Sequence, residues 1–235
     1  MEDCAIALLD WDNTLRPGFT MPEWTDFLSL RGQFRRFMHL EIERKFKEYL
    51  NGKITYGQLS NAVVDLYGAG LEGQMVDEVM ESAREFVYTD KEKVFPFVDP
   101  LIAFFREAGV STYIVSGCPS SALVAYGEIL RWDRSYGIDV DTEDGRYTGN
   151  IPVNMASLAG KRDVVKTLAA SHDVWVAAGD SDSDHALFDR SYVAIVVDNA
   201  DLHPSSPVVH HWKPDRPADE LVHMIADSLA DRGKR

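Results

Sequence analysis

Asp10 and Asp12 stand directly behind the apolar run Ala5-Ile6-Ala7-Leu8-Leu9. Alternate side chains of an extended chain share a face, so the two carboxylates converge while Trp11 turns away. Carboxylates that close raise each other's pKa unless a cation or a shared proton relieves them. Acidic residues behind a strand also serve as turns and helix caps, so the pair needs company to carry chemistry. Ser116-Gly117, ending the run Tyr113-Ile114-Val115, offers a hydroxyl and open backbone amides to an anion. Lys161 opens a helix after Gly160, and Gly179-Asp180-Ser181-Asp182-Ser183-Asp184 follows the run Val174 to Ala178 with further carboxylates. A calcium loop starting at Asp180 fails at His185 and Ser191, and a nucleophile elbow around Ser116 fails at Ile114. Cys4, read as a core residue of the first strand, and Cys118 have no metal-ligand spacing.

These residues fall at strand and helix ends of an alternating pattern. Asp99-Pro100 is read as an N-cap and first helical position, followed by Leu101, Phe104, Phe105 and Ala108, with Gly109 as the stop. Val110 to Val115 is a strand, and a helix is expected from about Ser120 to Leu130. Ile138 to Thr142 and Arg146 to Ile151 flank a hairpin signal at Glu143-Asp144-Gly145. A helix over Lys161 to Ala170, near-continuous apolar runs at Val174 to Ala178 and Tyr192 to Val197, and a last helix from Ala218 to Leu229 complete an α/β pattern with a parallel sheet. The stretch 199–217, with His203, His210 and His211, reads as a solvated loop.

Between the first strand and this pattern the period is helical throughout. Phe34, Met38, Ile42 and Phe46 form one apolar stripe, stopped at Asn51-Gly52. Thr55-Tyr56-Gly57-Gln58 has the form of a capping box ahead of Leu59, Val63 and Tyr67, and Val79, Ala83, Phe86 and Val87 belong to a third stripe. The expected organisation is therefore an α/β core of residues 1–15 and 96–235 interrupted by a helical insert of residues 16–95. In open parallel sheets ligands bind at the carboxyl edge, where all the candidate residues fall.

The chain has 235 residues and a formal charge of -14, from 24 basic against 38 acidic side chains. That charge argues against nucleic-acid and anionic-membrane partners, and an anionic substrate needs a local positive centre. No apolar run has transmembrane length, and Met1-Glu2-Asp3 lacks a basic signal-peptide start, so a cytoplasmic address is expected.

Taken together and in order, Asp10-x-Asp12-x-Thr14, the insert behind it, Ser116-Gly117, the hairpin at Asp144-Gly145, Gly160-Lys161 and Gly179-Asp180-Ser181-x-x-Asp184 resemble the haloacid dehalogenase superfamily, most closely its phosphoserine-phosphatase-like branch. The resemblance implies a Rossmann-like core with a helical cap. It also implies a magnesium-dependent phosphatase acting on a small phosphorylated metabolite. Asp10 is then the nucleophile that becomes an aspartyl phosphate, Asp12 the proton carrier, and Lys161 the charge neutraliser. Thr14, Ser116 and Gly117 bind phosphate, and Asp10, Asp12 through its carbonyl, Asp180 and Asp184 form the magnesium site. Asp184 contacts the metal directly, through water, or acts by orienting Lys161. A phosphotransferase or mutase of the same fold and a catalytically silent phosphate or metal binder are the alternatives.

Departures from the resemblance concern the substrate. Phosphoserine phosphatases carry a glutamate for the substrate's amino group where this chain has Phe19, and a cap arginine in the segment matching Gly52 to Leu66, which contains none. Phosphoserine is therefore not the expected substrate. Phe19, Met21 and Trp24 suggest an aromatic or apolar wall, and Arg16 is a candidate contact for a polar leaving group.

Overall fold

The computed structural model describes residues 4–232; the side chain of Cys4 lies outside the described part, so its place in a core is not tested. The first run forms strand β1 (Cys4–Leu9), and Ile6, Ala7, Leu8 and Leu9 are fully buried. Burial on both faces is what a near-continuous apolar strand requires. Around it lie β2 (Ser111–Pro119), β3 (Arg134–Ile138), β6 (His172–Gly179), β7 (Val193–Val197) and β8 (Val208–Trp212) in the parallel order β3-β2-β1-β6-β7-β8. Strand order reverses at β1, so the crevice beyond the carboxyl ends of β1 and β6 is the place for a ligand. Asp10 stands at that point, its N–H donating to Ala178 O at 2.9 Å.

Helices α5 (Val98–Glu107), α6 (Ser120–Leu130), α7 (Leu158–Leu168), the short α8 (His185–Phe188) and α9 (Ala218–Arg232) connect and flank these strands. Four helices, α1 (Thr20–Leu30), α2 (Arg36–Leu50), α3 (Tyr56–Leu71) and α4 (Val76–Asp90), lie between β1 and α5. The capping box at the start of α3 is formed, with Thr55 Oγ1 accepting from Gln58 N and Gln58 Oε1 accepting from Thr55 N. Ile42, Val63, Tyr67, Val79, Phe86 and Val87 from the expected stripes are buried. No helix among the described residues is long and apolar enough to cross a membrane.

Several local expectations need correction. Residues 199–217 are not simply loop, because Val208–Trp212 adds β8 at the sheet edge beside β7. The expected hairpin shrinks to β4 (Thr142–Glu143) and β5 (Arg146–Tyr147), because Ile138 belongs to β3 in the main sheet. Asp99 and Pro100 lie inside the first turn of α5, whose N-cap is Phe97. Lys161 likewise sits in the first turn of α7 rather than opening it, since Ser157 is the N-cap and accepts from Gly160 N at 3.0 Å.

Candidate active site

Beyond Leu9 the chain turns tightly over residues 11–16. Asn13 takes a left-handed φ of 61° and Leu15 N donates to Trp11 O at 2.8 Å. Trp11 does turn away from the two carboxylates and is buried against Tyr126, with ring centroids 4.4 Å apart. Its indole Nε1 donates to Thr20 Oγ1 at 3.0 Å, while that hydroxyl and Thr20 N donate to Asp12 Oδ1 at 2.5 and 3.0 Å. The indole occupies an acceptor position on the Thr20 oxygen, which leaves the hydroxyl proton for Asp12.

Lys161 reaches the site from the first turn of α7. Its Nζ donates to Asp10 Oδ1 at 2.9 Å and to Asp184 Oδ1 at 2.6 Å, and it is fully buried. Asp184 is saturated: its Oδ2 also accepts from Asp180 N, Ser181 N and Ser181 Oγ at 3.1, 3.0 and 2.9 Å. Those bonds fold the turn after β6 back on itself and hold Lys161 in place. Gly179 permits that fold, since a Cβ there would stand 2.4 Å from Asp184 Cβ. Asn199 Nδ2 donates to Asp180 O at 2.7 Å and ties the same turn to the residues after β7.

Carboxyl oxygens of Asp10, Asp180 and Asp184 all lie within 4.8 Å of one another. Burial and the Asp184 charge raise the Asp10 pKa to about 6 despite Lys161, and burial with the Asp10 and Asp184 charges raises Asp180 to about 8. Burial likewise raises Asp12 to about 7, against the Thr20 hydrogen bonds that favour its charged form. Burial disfavours the Lys161 ammonium, but Asp10 and Asp184 outweigh it and hold Lys161 protonated well above the ordinary lysine range. An excess of buried carboxylate over ammonium is the donor set of a hard divalent cation. Asp10 and Asp180 have oxygens to offer it, whereas Asp184 is already occupied.

Asp10, Asp12, Lys161 and Asp180 line a cavity of about 360 Å³, with Asp184 behind them. Asp10, Asp12, Ser116, Gly117, Lys161 and Asp180 form its floor, and Phe19, Met21, Phe46, Tyr49, Tyr56 and Val63 lie on the side of α1, α2 and α3. Gly117 is needed for packing as well as access: a Cβ there would stand 2.8 Å from Ala156 Cβ.

The model of the haloacid dehalogenase-like hydrolases matches residues 7–189. The chain belongs to that family. Among solved structures, this haloacid dehalogenase-like hydrolase is similar to a protein of unknown function from Bordetella pertussis Tohama I, at 20% identity and a TM-score of 0.68, covering 85% of this chain and 92% of that one. It is also similar to a phosphoserine phosphatase solved as a phospho-aspartyl intermediate analogue, at 18% identity and a TM-score of 0.62 over 95% of this chain and 99% of the other. A probable phosphoserine phosphatase from Vibrio cholerae matches at 18% identity and a TM-score of 0.64, over 98% of this chain and 67% of that one. At these identities the likeness is one of fold. No curated protein matches the chain.

Three expected site residues of this hydrolase stand elsewhere than expected. Thr14 is fully buried, its hydroxyl donates to Asp180 Oδ1 at 3.1 Å, and it is not among the described residues that line the cavity. Arg16 is fully buried on Asp90 and Glu23, and Trp24 is buried against Phe86 with its indole donating to Tyr67 Oη at 3.3 Å. Neither lines the cavity, whereas Phe19 does. Sequence reasoning read Phe46 only as part of a core stripe and Tyr56 only as part of a capping box. Asn199 carried no signal, because its task depends on a contact across the sheet.

Proposed function

We propose that this chain is a magnesium-dependent phosphomonoester hydrolase that acts on a small phosphorylated metabolite through an aspartyl phosphate at Asp10. The observation that carries the reading is the Lys161 ammonium held between Asp10 and Asp184 on the cavity floor. That pairing leaves Asp10 Oδ2 free of the lysine and in a cavity that opens toward solvent. The solved phospho-aspartyl analogue of a phosphoserine phosphatase of this fold supports the same choice of nucleophile.

Asp10 attacks phosphorus and Asp12 protonates the departing oxygen; Asp12 then takes a proton from the water that releases phosphate. A pKa of about 7 suits both halves of that task at neutral pH. Ser116 and the amides around Gly117 hold phosphoryl oxygens, and Lys161 offsets their charge. Asp10, Asp180 and the backbone carbonyl of Asp12 would hold magnesium, which would supply the positive charge that phosphoryl transfer needs in a chain of net charge -14. Thr14 and Asp184 act through Asp180 and Lys161. In this reading residues 16–95 form a cap over a core of residues 1–15 and 96–235, and the enzyme works in the cytoplasm.

Phosphate release from a panel of phosphorylated metabolites tests the reading. Activity should stop on chelation, return with magnesium and vanish in Asp10→Asn with the fold intact. Near-normal hydrolysis by that variant contradicts the nucleophile assignment. Acceptor competition at fixed enzyme concentration, with transfer to an added acceptor far outpacing release to water, identifies a phosphotransferase.

A further inference from the structure

The cavity has two chemically different ends. Its floor gathers carboxylates, a serine hydroxyl and Lys161, the single cationic side chain among the described residues that line it. The opposite side is a run of aromatic rings. Phe19 and Phe46 have centroids 5.0 Å apart at 49°, Phe19 and Tyr49 lie 6.1 Å apart at 75°, and Tyr49 and Tyr56 lie 5.8 Å apart at 64°. Rings inclined to one another in this way form a bent apolar surface, with Met21 and Val63 beside it.

Nothing on that side neutralises a carboxylate or accepts the protons of a primary ammonium. Lys161 is committed to Asp10 and Asp184. The six arginines of the helical segment are paired elsewhere: Arg16 with Asp90, Arg31 with Glu85, Arg35 with Glu72, Arg36 with Asp26, Arg44 with Glu41 and Glu48, and Arg84 with Glu128. A carboxylate placed against the rings would lose its hydration with no counter-charge to replace it. A primary ammonium would lose the water oxygens that accept its protons, against Phe19 and Phe46, which accept no hydrogen bonds.

Resting on the phosphomonoesterase reading, we infer that the leaving group is a small uncharged alcohol with an aromatic or branched alkyl body, seated against Phe19, Phe46, Tyr49 and Tyr56. A volume of about 360 Å³ is near the small end of ligand pockets, enough for phosphate with one ring or a short branched chain. In the first step a bond forms from an Asp10 carboxyl oxygen to phosphorus as the phosphorus–oxygen bond of the ester breaks. The departing oxygen keeps the electron pair and takes the Asp12 proton, so a neutral alcohol leaves.

The test compares kcat/KM, with magnesium, for four alkyl monoesters: benzyl phosphate, 3,3-dimethylbutyl phosphate, phosphocholine and O-phosphoserine. Phosphocholine has the shape of the dimethylbutyl ester with a positive charge added. Both apolar esters should exceed O-phosphoserine by about 100-fold and exceed phosphocholine by about tenfold, in the range that apolar pockets discriminate. Tyr49→Ala should lower kcat/KM for benzyl phosphate about tenfold while leaving inhibition by inorganic phosphate unchanged, and Tyr49→Phe, which keeps the ring, should recover most of that loss. O-phosphoserine or phosphocholine turned over as well as the apolar esters overturns the inference, as does a Tyr49→Ala loss shared equally by phosphate. Release from O-phosphoserine alone contradicts the inference and leaves the hydrolase reading standing. Release from none of the four contradicts both.

Discussion

Arg16 Nε donates to Asp90 Oδ2 at 2.6 Å, joining the turn behind β1 to the last residue of α4. The two residues stand at opposite ends of the helical segment, and Phe95 N donating to Leu15 O at 2.9 Å ties the same two crossings together. Both side chains are buried, and Tyr126 and Lys93 also donate to the Asp90 carboxylate. Burial opposes the Asp90 charge, but the bonds from Arg16, Tyr126 and Lys93 outweigh it and hold its carboxyl well below the usual range.

Removing Asp90 leaves the buried Arg16 guanidinium with only the half-exposed Glu23 as counter-charge. Asp90→Ala is expected to cost about 3 kcal/mol or more of stability by chemical denaturation, and Arg16→Met combined with Asp90→Leu to recover part of it. Because the folded pKa of Asp90 is depressed, its contribution is present above the unfolded value near 4 and is lost as pH falls through the folded value. The difference between parent and Asp90→Ala should therefore be largest near neutrality and shrink in acid.

Lys161→Ala is expected to lower kcat by about 100-fold or more, because the floor then presents its carboxylates to phosphate without the ammonium. Asp184→Asn should share most of that loss, since Asp184 positions Lys161 and the Asp180 turn through four hydrogen bonds. A double variant no worse than the single ones would show that the pair acts as a unit.

Thr20→Val removes the hydroxyl that stabilises the charged form of Asp12 and keeps the backbone N–H. The Asp12 pKa should rise from about 7, shifting the corresponding limb of the kcat pH profile upward. A Thr20→Ser variant should restore the parent profile. An unchanged profile in Thr20→Val contradicts the acid–base role of Asp12.

The raised carboxyl pKa values also govern metal-free stability. Asp12 at about 7 and Asp180 at about 8 keep protons in the folded state that the unfolded chain has released. Stability of the metal-free protein should therefore fall as pH rises from 6.5 to 8.5; the buried His39 and the part-buried His210, whose pKa values are lowered from 6.5, oppose this only at the acid end of the window, where the unfolded imidazoles still bind protons. Magnesium should raise Tm more at pH 8.5 than at pH 6.5, because it replaces those protons as the counter-charge. Thermal unfolding with and without the metal measures both slopes.

The α/β pattern was legible because β1, β6 and β7 are buried on both faces, and such strands read as unbroken apolar runs. At the edge, β8 hid behind the half-buried His210 and the exposed His211, whose polar side chains broke that run. The convergence of Asp10, Lys161, Asp180 and Asp184 followed from their common position at strand ends and a helix start. Side-chain partners were not legible. Thr14 turns to Asp180 and Arg16 to Asp90 through contacts distant in sequence. Helical periodicity marked Phe46 as inward-facing, but period alone does not say whether an inward face meets packed side chains or a cavity.

The most direct test of the nucleophile is a trap. Parent protein turning over an active phosphomonoester with magnesium is quenched and reduced with borohydride, which converts an aspartyl phosphate to homoserine, and the modified peptide is sequenced by mass spectrometry. The account predicts homoserine at position 10 and none in Asp10→Asn. Continued turnover with no modification at Asp10, or with modification at Asp180 instead, would contradict it.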